Sequence, residues 1–228
     1  MTALSPFAEI FAVAAGRKGG AAAFEATLPT PKSAAELAAI PDDRWLAGMT
    51  RAIFQAGFSW TVIENKWPGF EAAFWGFDVG RCAMMSDDDL DALLKDTRIV
   101  RNGAKIRTVA ENAAFLQSIA AEHGSAGKAF ADWPPEDFVG LMSLLKKNAS
   151  HLGGISAQYF LRQMGVDGFV LSRDVVLALI REGVVDKAPT SQRDLARVQE
   201  AFNQWHTESG RPLGAISRTL ACSVEWGG

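Results

Sequence analysis

The sequence predicts an all-α protein on three observations. Apolar residues recur at intervals of three and four over most of the 228 residues, which is the period of a helix with one buried side. Glycine and proline interrupt these stretches at helix-length intervals. Runs in which valine, isoleucine or threonine alternate with polar residues, the pattern typical of strands, are missing. We expect residues 1–228 to form one helical domain with two lobes.

The predicted helices follow one another with short breaks. Ser33 is expected to cap the third helix, and Ser86 with Asp89 forms a capping box before the sixth. Pro134 and Pro135 open another helix, because proline is tolerated in a first turn. In chain order the predicted helices span residues 7–16, 21–28, 34–39, 41–54, 60–67, 87–94, 105–121, 135–145, 156–164, 173–181, 194–206 and 212–224.

The composition bounds the class of protein. With 48% hydrophobic and 21% charged residues, the chain can bury a sizeable core, which excludes global disorder. Cys82 and Cys222 lie far apart, and no paired Cys/His spacing suits zinc. We therefore expect two small apolar thiols, no metal or other cofactor, and a reducing cytoplasm.

Targeting signals, apolar runs and net charge bear on which partners this protein is expected to bind. No signal peptide pattern and no apolar run of about 20 residues occurs, so no membrane partner is expected. The net charge of −3 by itself argues against nucleic acid, although a local basic face on an acidic body is compatible with DNA binding. The common nucleotide, metal and acyl-transfer motifs are absent.

The segment from Leu152 to Ser156 joins two predicted helices through Gly153 and Gly154. Glycine allows a tight turn, and a helix that starts directly after it presents free backbone N–H groups and a positive dipole end. Such a turn can hold a DNA phosphate without any side chain. An ordinary helix–helix turn is the alternative, and the segment alone does not decide between them.

About ten residues after Gly165, a Ser-Arg-Asp sequence ending at Asp174 opens an apolar helix. Together with the glycine turn, this order resembles the helix-hairpin-helix DNA glycosylase superfamily. There a Leu-Pro-Gly-Ile-Gly hairpin leads to a helix, a loop and a catalytic Asp at the next helix start. In this chain Gly153 replaces the proline and Ser156 replaces the last glycine. The resemblance makes Asp174 the candidate catalytic residue and Gly153, Gly154 and Ser156 candidate DNA contacts.

An aspartate suits this chemistry. Cleavage of an N-glycosidic bond builds positive charge on the sugar, which a carboxylate stabilises, and the helix dipole favours an ionised acid in a first turn. Without the resemblance, Asp174 is interpreted as an ordinary first-turn acid. Members with lyase activity carry a Lys where this chain has Gln158, and Gln cannot attack the sugar. The resemblance therefore implies a monofunctional enzyme.

The segment Gln-Ala-Gly-Phe-Ser-Trp, from Gln55 to Trp60, is similar to a loop of the DNA-3-methyladenine glycosylase I family. The likeness covers about residues 50–120 well and 150–182 moderately. It implies that Trp60 stacks on the extruded base, that Phe58 sits near the gap left in the duplex, and that Gln55 belongs to the base site. Aromatic faces suit flipped, positively charged alkylated bases. A core position beside Ile63 is the alternative for Trp60. Further matches in order are Phe70–Phe74, Phe77–Asp78, Met84 or Met85, Ile99–Asn102, Lys105–Ile106 and Asn112–Ala113.

The departures from the family indicate a divergent branch. The family's base-reading Glu corresponds to Ala52 here, and its zinc-binding Cys and His residues have no counterpart. The N-terminal region offers Arg17 and Lys18 instead. Glu64 and Glu71 follow the aromatic loop, and a solvated helix face is preferred for both over a pocket.

Cations near the hairpin suggest backbone contacts with DNA. Arg101 and Lys105 begin the long predicted helix, and Lys147 precedes the hairpin. Solvated charge is the alternative for each, and Arg218 and the other cations of the last helices are interpreted as surface charge. The expected partner is double-stranded DNA with a damaged base, bound by a monomer. The cations at the start of the long helix and before the hairpin also include Arg107, Lys146 and His151.

Three functions remain open on the sequence. The preferred one is a monofunctional glycosylase that excises alkylated purines such as 3-methyladenine in base excision repair. The second is a DNA-damage binding protein that has lost turnover, which the loss at Ala52 motivates. The third is a helical scaffold that retains only the fold. The first requires Trp60 and Asp174 to line one cleft.

Overall fold

The computed structural model describes residues 4–225, and every regular element within them is helical. The all-α prediction is confirmed. Residues 1–3 and 226–228 of the expected domain lie outside the described residues. No helix in the described range is long and apolar enough to cross a bilayer. The chain divides into two compact units, one of residues 32–133 and 142–166 and the other of the remaining segments.

The first unit contains the aromatic loop and the glycine hairpin. Its core includes a cluster in which Trp45 lies 4.6 Å from Phe130 and 6.0 Å from Phe160, between ring centroids. Helix α4 (Asp42–Gln55) packs against α8 (Gly103–His123) and α11 (Ile155–Met164). The helices of this unit are α3 (Ala34–Ala38), α4 (Asp42–Gln55), α5 (Trp60–Ala73), α6 (Val79–Ala83), α7 (Asp87–Lys95), α8 (Gly103–His123), α9 (Ala126–Ala131) and α11 (Ile155–Met164).

The described residues of the second unit are 4–31, 134–141 and 167–225. Its core contains Phe169 stacked on Phe202 at 4.3 Å, with Trp205 edge-on to Phe202. Helix α14 (Leu213–Cys222) packs against α1 (Phe7–Arg17) and α12 (Arg173–Arg181). The helices are α1 (Phe7–Arg17), α2 (Ala21–Glu25), α12 (Arg173–Arg181), α13 (Gln192–Ser209) and α14 (Leu213–Cys222), while α10 (Phe138–Asn148) begins in this unit's segment 134–141 and continues into residues of the first unit.

The predicted capping serines are confirmed, whereas Pro135 opens a 3-10 turn and α10 begins three residues later, at Phe138. Ser33 and Ser86 each form a capping box, with Glu36 and Asp89 respectively. Helix α5 continues through Pro68 to Ala73, so the helix ends six residues later than the expected 67. Helices α6 and α9, of five and six residues, were not expected from the sequence.

Candidate functional site

The aromatic loop between α4 and α5 exposes two large rings. Gly57 has a φ of 72°, a conformation that suits glycine, and it turns the chain after α4. Phe58 is 46% exposed and Trp60 is 49% exposed. The core alternative for Trp60 is therefore excluded, whereas Ile63 on the same helix is fully buried. Two exposed rings at one loop offer a surface on which a base can stack.

Lys105 holds this loop from the long helix α8. Its Nζ donates hydrogen bonds to the carbonyl oxygens of Phe54, at 3.3 Å, and Ala56, at 2.6 Å, where α4 ends. The ammonium also lies 5.7 Å from the centroid of the Phe58 ring. Burial lowers the pKa of Lys105 below its ordinary value. In this structure the Lys105 ammonium is hydrogen-bonded to the loop backbone, and its contact with DNA stays a prediction.

Trp60 meets a second aromatic residue that the sequence analysis did not single out. The Tyr159 ring of α11 stands edge-on to the Trp60 ring at a centroid distance of 5.8 Å. An edge-on contact is a favoured aromatic geometry, and Trp60 remains 49% exposed beside Tyr159. Tyr159 is the only tyrosine in the sequence and lies four residues after Ile155, the first residue of α11. Its position one helical turn from the hairpin is the signal that would have identified it.

A polar network connects Gln55, at the end of α4, with Glu64 and Gln163, which lie one turn after Trp60 on α5 and after Tyr159 on α11. Gln55 is buried, its Nε2 donates to Glu64 Oε1 at 3.0 Å, and its Oε1 accepts from Gln163 Nε2 at 3.0 Å. Arg51 Nε lies 3.5 Å from Glu64 Oε1, a charge contact without hydrogen-bond geometry, and this buried nitrogen has no hydrogen-bond partner. The Arg51 guanidinium is 4.1 Å from the Trp67 ring centroid, which compensates its burial by a cation–π contact. Gln55 therefore belongs to a built polar group.

Glu64 and Glu71 were expected on a solvated helix face, but both also contact side chains of α4. Glu64 has an exposed side chain at 47% but contacts Gln55 and Arg51. Glu71 is bound by Arg44 through two hydrogen bonds of 2.8 and 3.0 Å. Ala52, at the position matched to the family's base-reading Glu, is buried on α4 and offers no polar side chain.

The glycine hairpin has the geometry expected of a tight turn. Gly154 adopts φ 57° and ψ −130°, a backbone conformation that side chains rarely tolerate, and no side chain caps α11 there. Leu152 is fully buried, and Asn112 fixes the turn by exchanging two hydrogen bonds with the Ser150 backbone, at 2.7 and 3.1 Å. Ser156 lies half-buried in the first turn of α11. The backbone at this helix start is suited to an anion.

The predicted cations lie on the surface of the first unit. Arg101 and Lys147 are both exposed, and Lys146 approaches Gly153 closely enough for van der Waals contact with a Cβ built there. Their contacts with DNA stay predictions. Exposure is compatible with steering of a phosphate backbone and equally with solvated charge.

Asp174 lies in the second unit at the start of α12. Ser172 caps this helix through the Val175 N–H, so the aspartate occupies the first turn and is partly buried. It lines a cavity of about 440 Å³ together with three cations, Arg17, Lys18 and Arg218, and Trp60, a residue of the first unit, is not among the residues that line this cavity. Arg218 therefore shares a cavity with Asp174, which its interpretation as plain surface charge did not anticipate. The other lining residues are Ala221, Cys222, Val224 and Glu225.

The cavity has an excess of positive charge. Glu225 is paired with Arg17 at 3.3 Å, which leaves Lys18 and Arg218 beside Asp174. Such a pocket suits an anionic group near a carboxylate. Within residues 4–225 no group of three or more His, Cys, Asp or Glu side chains is arranged to hold a metal ion.

Comparison with known proteins finds a likeness to one family. The model of the methyladenine glycosylase family matches residues 41–138, which include the aromatic loop, Gln55, Glu64 and Lys105. Over this segment, which is less than half of the chain, the sequence is similar to the methyladenine glycosylases. DNA-3-methyladenine glycosylase 1 of Escherichia coli (strain K12) is 38% identical over 64 residues, or 28% of this chain and 34% of that protein. The chain thus spans about a third of the length of this curated relative.

Solved structures of methyladenine glycosylases share the fold. A crystal structure of 3-methyladenine DNA glycosylase I aligns with a TM-score of 0.50 at 22% identity, covering 64% of this chain and 87% of that one. The Staphylococcus aureus 3-methyladenine DNA glycosylase I aligns with a TM-score of 0.50 at 19% identity, covering 61% and 80%. The fold class predicted from the sequence is confirmed, while the roles of individual residues stay predictions.

Proposed function

We propose that this methyladenine glycosylase relative is a monofunctional DNA glycosylase that flips and excises alkylated purines such as 3-methyladenine. The observation that carries the proposal is the pair of exposed rings, Phe58 and Trp60, on a braced loop inside the family-matched segment. A flipped base needs an aromatic face, and the duplex that it leaves needs an apolar filler. In this proposal Trp60 stacks on the base and Phe58 occupies the gap.

Asp174 supplies the chemistry in this proposal. Departure of the base leaves positive charge on the sugar, and an ionised carboxylate in a first helical turn stabilises that charge and orients the attacking water. Lys18 and Arg218, which line the same cavity, are suited to the phosphates beside the sugar. Gln158 is buried and has no amine, so no Schiff base forms there and the product is an uncut abasic site.

Backbone amides at Gly153, Gly154 and Ser156 hold one strand in this proposal, with Arg101 and Lys147 as exposed phosphate contacts. These contacts position the duplex and do not read its sequence.

The test is base release from methylated duplex DNA, with the released bases identified by mass spectrometry. Asp174→Asn should lower the rate by about 10²- to 10⁴-fold, because it removes the stabilising charge, while binding to abasic-site DNA is retained. Asp186→Asn, an exposed acid of the same unit, is the matched control and should leave the rate unchanged. Strand cleavage without alkali would contradict the absence of lyase activity.

A second candidate is a damage-binding protein without turnover. The buried, apolar Ala52 favours it, because this position carries no group to read a base. Binding to abasic-site DNA with no base released by the wild-type protein or by Asp174→Asn would support this candidate and exclude the first.

A further inference from the structure

Helix α5 carries two glutamates that face arginines of α4, and their surroundings differ in one decisive respect. Arg44 donates to both oxygens of Glu71, at 2.8 and 3.0 Å, and Trp67 Nε1 adds a third hydrogen bond of 2.9 Å to Oε1. The Glu71 side chain is 28% exposed. Its hydrogen-bonding capacity is used inside the protein, so its role is structural.

Glu64 is held by only one of its two oxygens. Gln55 Nε2 donates to Oε1 at 3.0 Å, and Arg51 Nε lies 3.5 Å from that same oxygen. Within the described part of the chain no hydrogen bond reaches Oε2, and 47% of the Glu64 side chain is exposed. The carboxylate is therefore oriented by the protein and keeps one acceptor available to a ligand.

The available oxygen lies one helical turn from the exposed indole. Trp60 and Glu64 are four residues apart on α5, as are Tyr159 and Gln163 on α11, so each pair shares a helix face. The first residues of the two pairs, Trp60 and Tyr159, are in ring contact. The second residues, Glu64 and Gln163, are both hydrogen-bonded to Gln55, which lies between them. On one helix, the Cβ atoms of residues four positions apart are about 5–6 Å from each other, a distance that a single purine bridges.

We infer that Glu64 Oε2 accepts a hydrogen bond from an N–H group on the edge of the base that stacks on Trp60, and thereby selects bases that carry such a donor. The inference rests on the proposed function. Arg51 balances the charge of Glu64, so selection depends on the hydrogen bond and not on attraction to a cationic base. The exocyclic amine of adenine bases is such a donor, whereas 1,N6-ethenoadenine has none on that edge.

Free-base binding tests Glu64 separately from catalysis. The affinity for 3-methyladenine is measured by quenching of tryptophan fluorescence, with 1,N6-ethenoadenine as the donor-free probe. Glu64→Leu should weaken 3-methyladenine binding by about ten- to hundredfold, as expected for loss of a hydrogen bond to a charged acceptor, and should leave ethenoadenine binding unchanged. Glu64→Gln retains one acceptor and should show a smaller loss, which also guards against misfolding of the leucine variant.

Glu71→Gln is the matched control, because it changes the same residue type on the same helix beside the other arginine. It should leave both affinities unchanged. Equal 3-methyladenine affinities for Glu64→Leu and wild type, an equal loss for both probes, or no binding of 3-methyladenine by the wild-type protein would each overturn the inference. Selective loss of 3-methyladenine binding without base release from DNA would uphold Glu64 and exclude turnover.

Discussion

At the scale of single residues, the hairpin depends on one glycine and tolerates change at its neighbour. Gly154 has φ 57° with ψ −130°, and no atom lies within 4 Å of a Cβ built there, so the restriction comes from backbone conformation and not from crowding. At Gly153 a Cβ would make ordinary contact with Lys146 at 3.7 Å. Alanine substitutions at these two positions therefore distinguish the cost of backbone strain from the cost of side-chain packing.

Gly154→Ala should lower the free energy of unfolding by about 1–3 kcal/mol, the usual range for a side chain forced into such a conformation. It should also weaken binding to abasic-site DNA if the turn holds a phosphate. Gly153→Ala should change stability by less than about 0.5 kcal/mol. Urea denaturation checks both values, and equal effects at the two positions would contradict the strain argument.

Glu71 makes stability depend on pH. Burial opposes ionisation of this carboxyl most strongly, but hydrogen bonds from Arg44 and Trp67 outweigh it, and the pKa of Glu71 lies below the ordinary 4.5. The unfolded chain therefore binds the proton first as pH falls. The stabilisation is complete above about pH 4.5 and is lost as pH falls through the lowered folded pKa.

Glu71→Gln should remove about 1–2 kcal/mol of stability at pH 7, because a charge-assisted pair becomes a neutral one. The difference from wild type should shrink between pH 4.5 and lower pH. Thermal unfolding across this range measures it, and a difference independent of pH would exclude the ionised pair as the cause.

At the scale of elements, α8 determines the conformation of the aromatic loop through Lys105. The ammonium satisfies carbonyl groups at the end of α4, where the helix dipole also favours a cation. The next hydrogen bond of the loop, from the Phe58 N–H to the Gln55 carbonyl, is 3.1 Å long. Loss of the ammonium should therefore release the loop while α4 and α8 remain folded.

Lys105→Met should accelerate hydrogen exchange at the Phe58 amide by about tenfold or more, because the opening free energy of the loop falls by roughly one hydrogen bond to a charged group. Arg107→Met, an exposed cation on the same helix, should leave that amide unchanged. Unaltered exchange in the Lys105 variant would show that the loop is held by its rings alone.

The helices themselves were largely predictable from local patterns. Ser33, Ser86 and Ser172 cap helices where the sequence shows cap residues before apolar periods. Pro68 was expected to begin a new turn, but α5 runs through it, because packing of Phe70 in the core maintains the helix. The short α6 and α9 escaped prediction because their stability comes from tertiary contacts.

At the scale of the whole molecule, the family match covers residues 41–138, which contain the segment of about 50–120 where the sequence likeness is strongest. The exposed rings, the hairpin and the first-turn aspartate were expected from motif order. The engagement of Lys105 by the loop, the Gln55–Glu64–Gln163 network and the shared cavity of Asp174 and Arg218 were not.

The sequence by itself determined the helical class, the caps, the loop that carries Phe58 and Trp60, and the glycine turn, because each follows from residues close together in the chain. Only the tertiary structure decided which oxygen of Glu64 is bound and which cations accompany Asp174. These depend on side chains that are 9 to 157 positions apart, such as Gln55 with Glu64 and Arg17 with Asp174, and no local period records such distances.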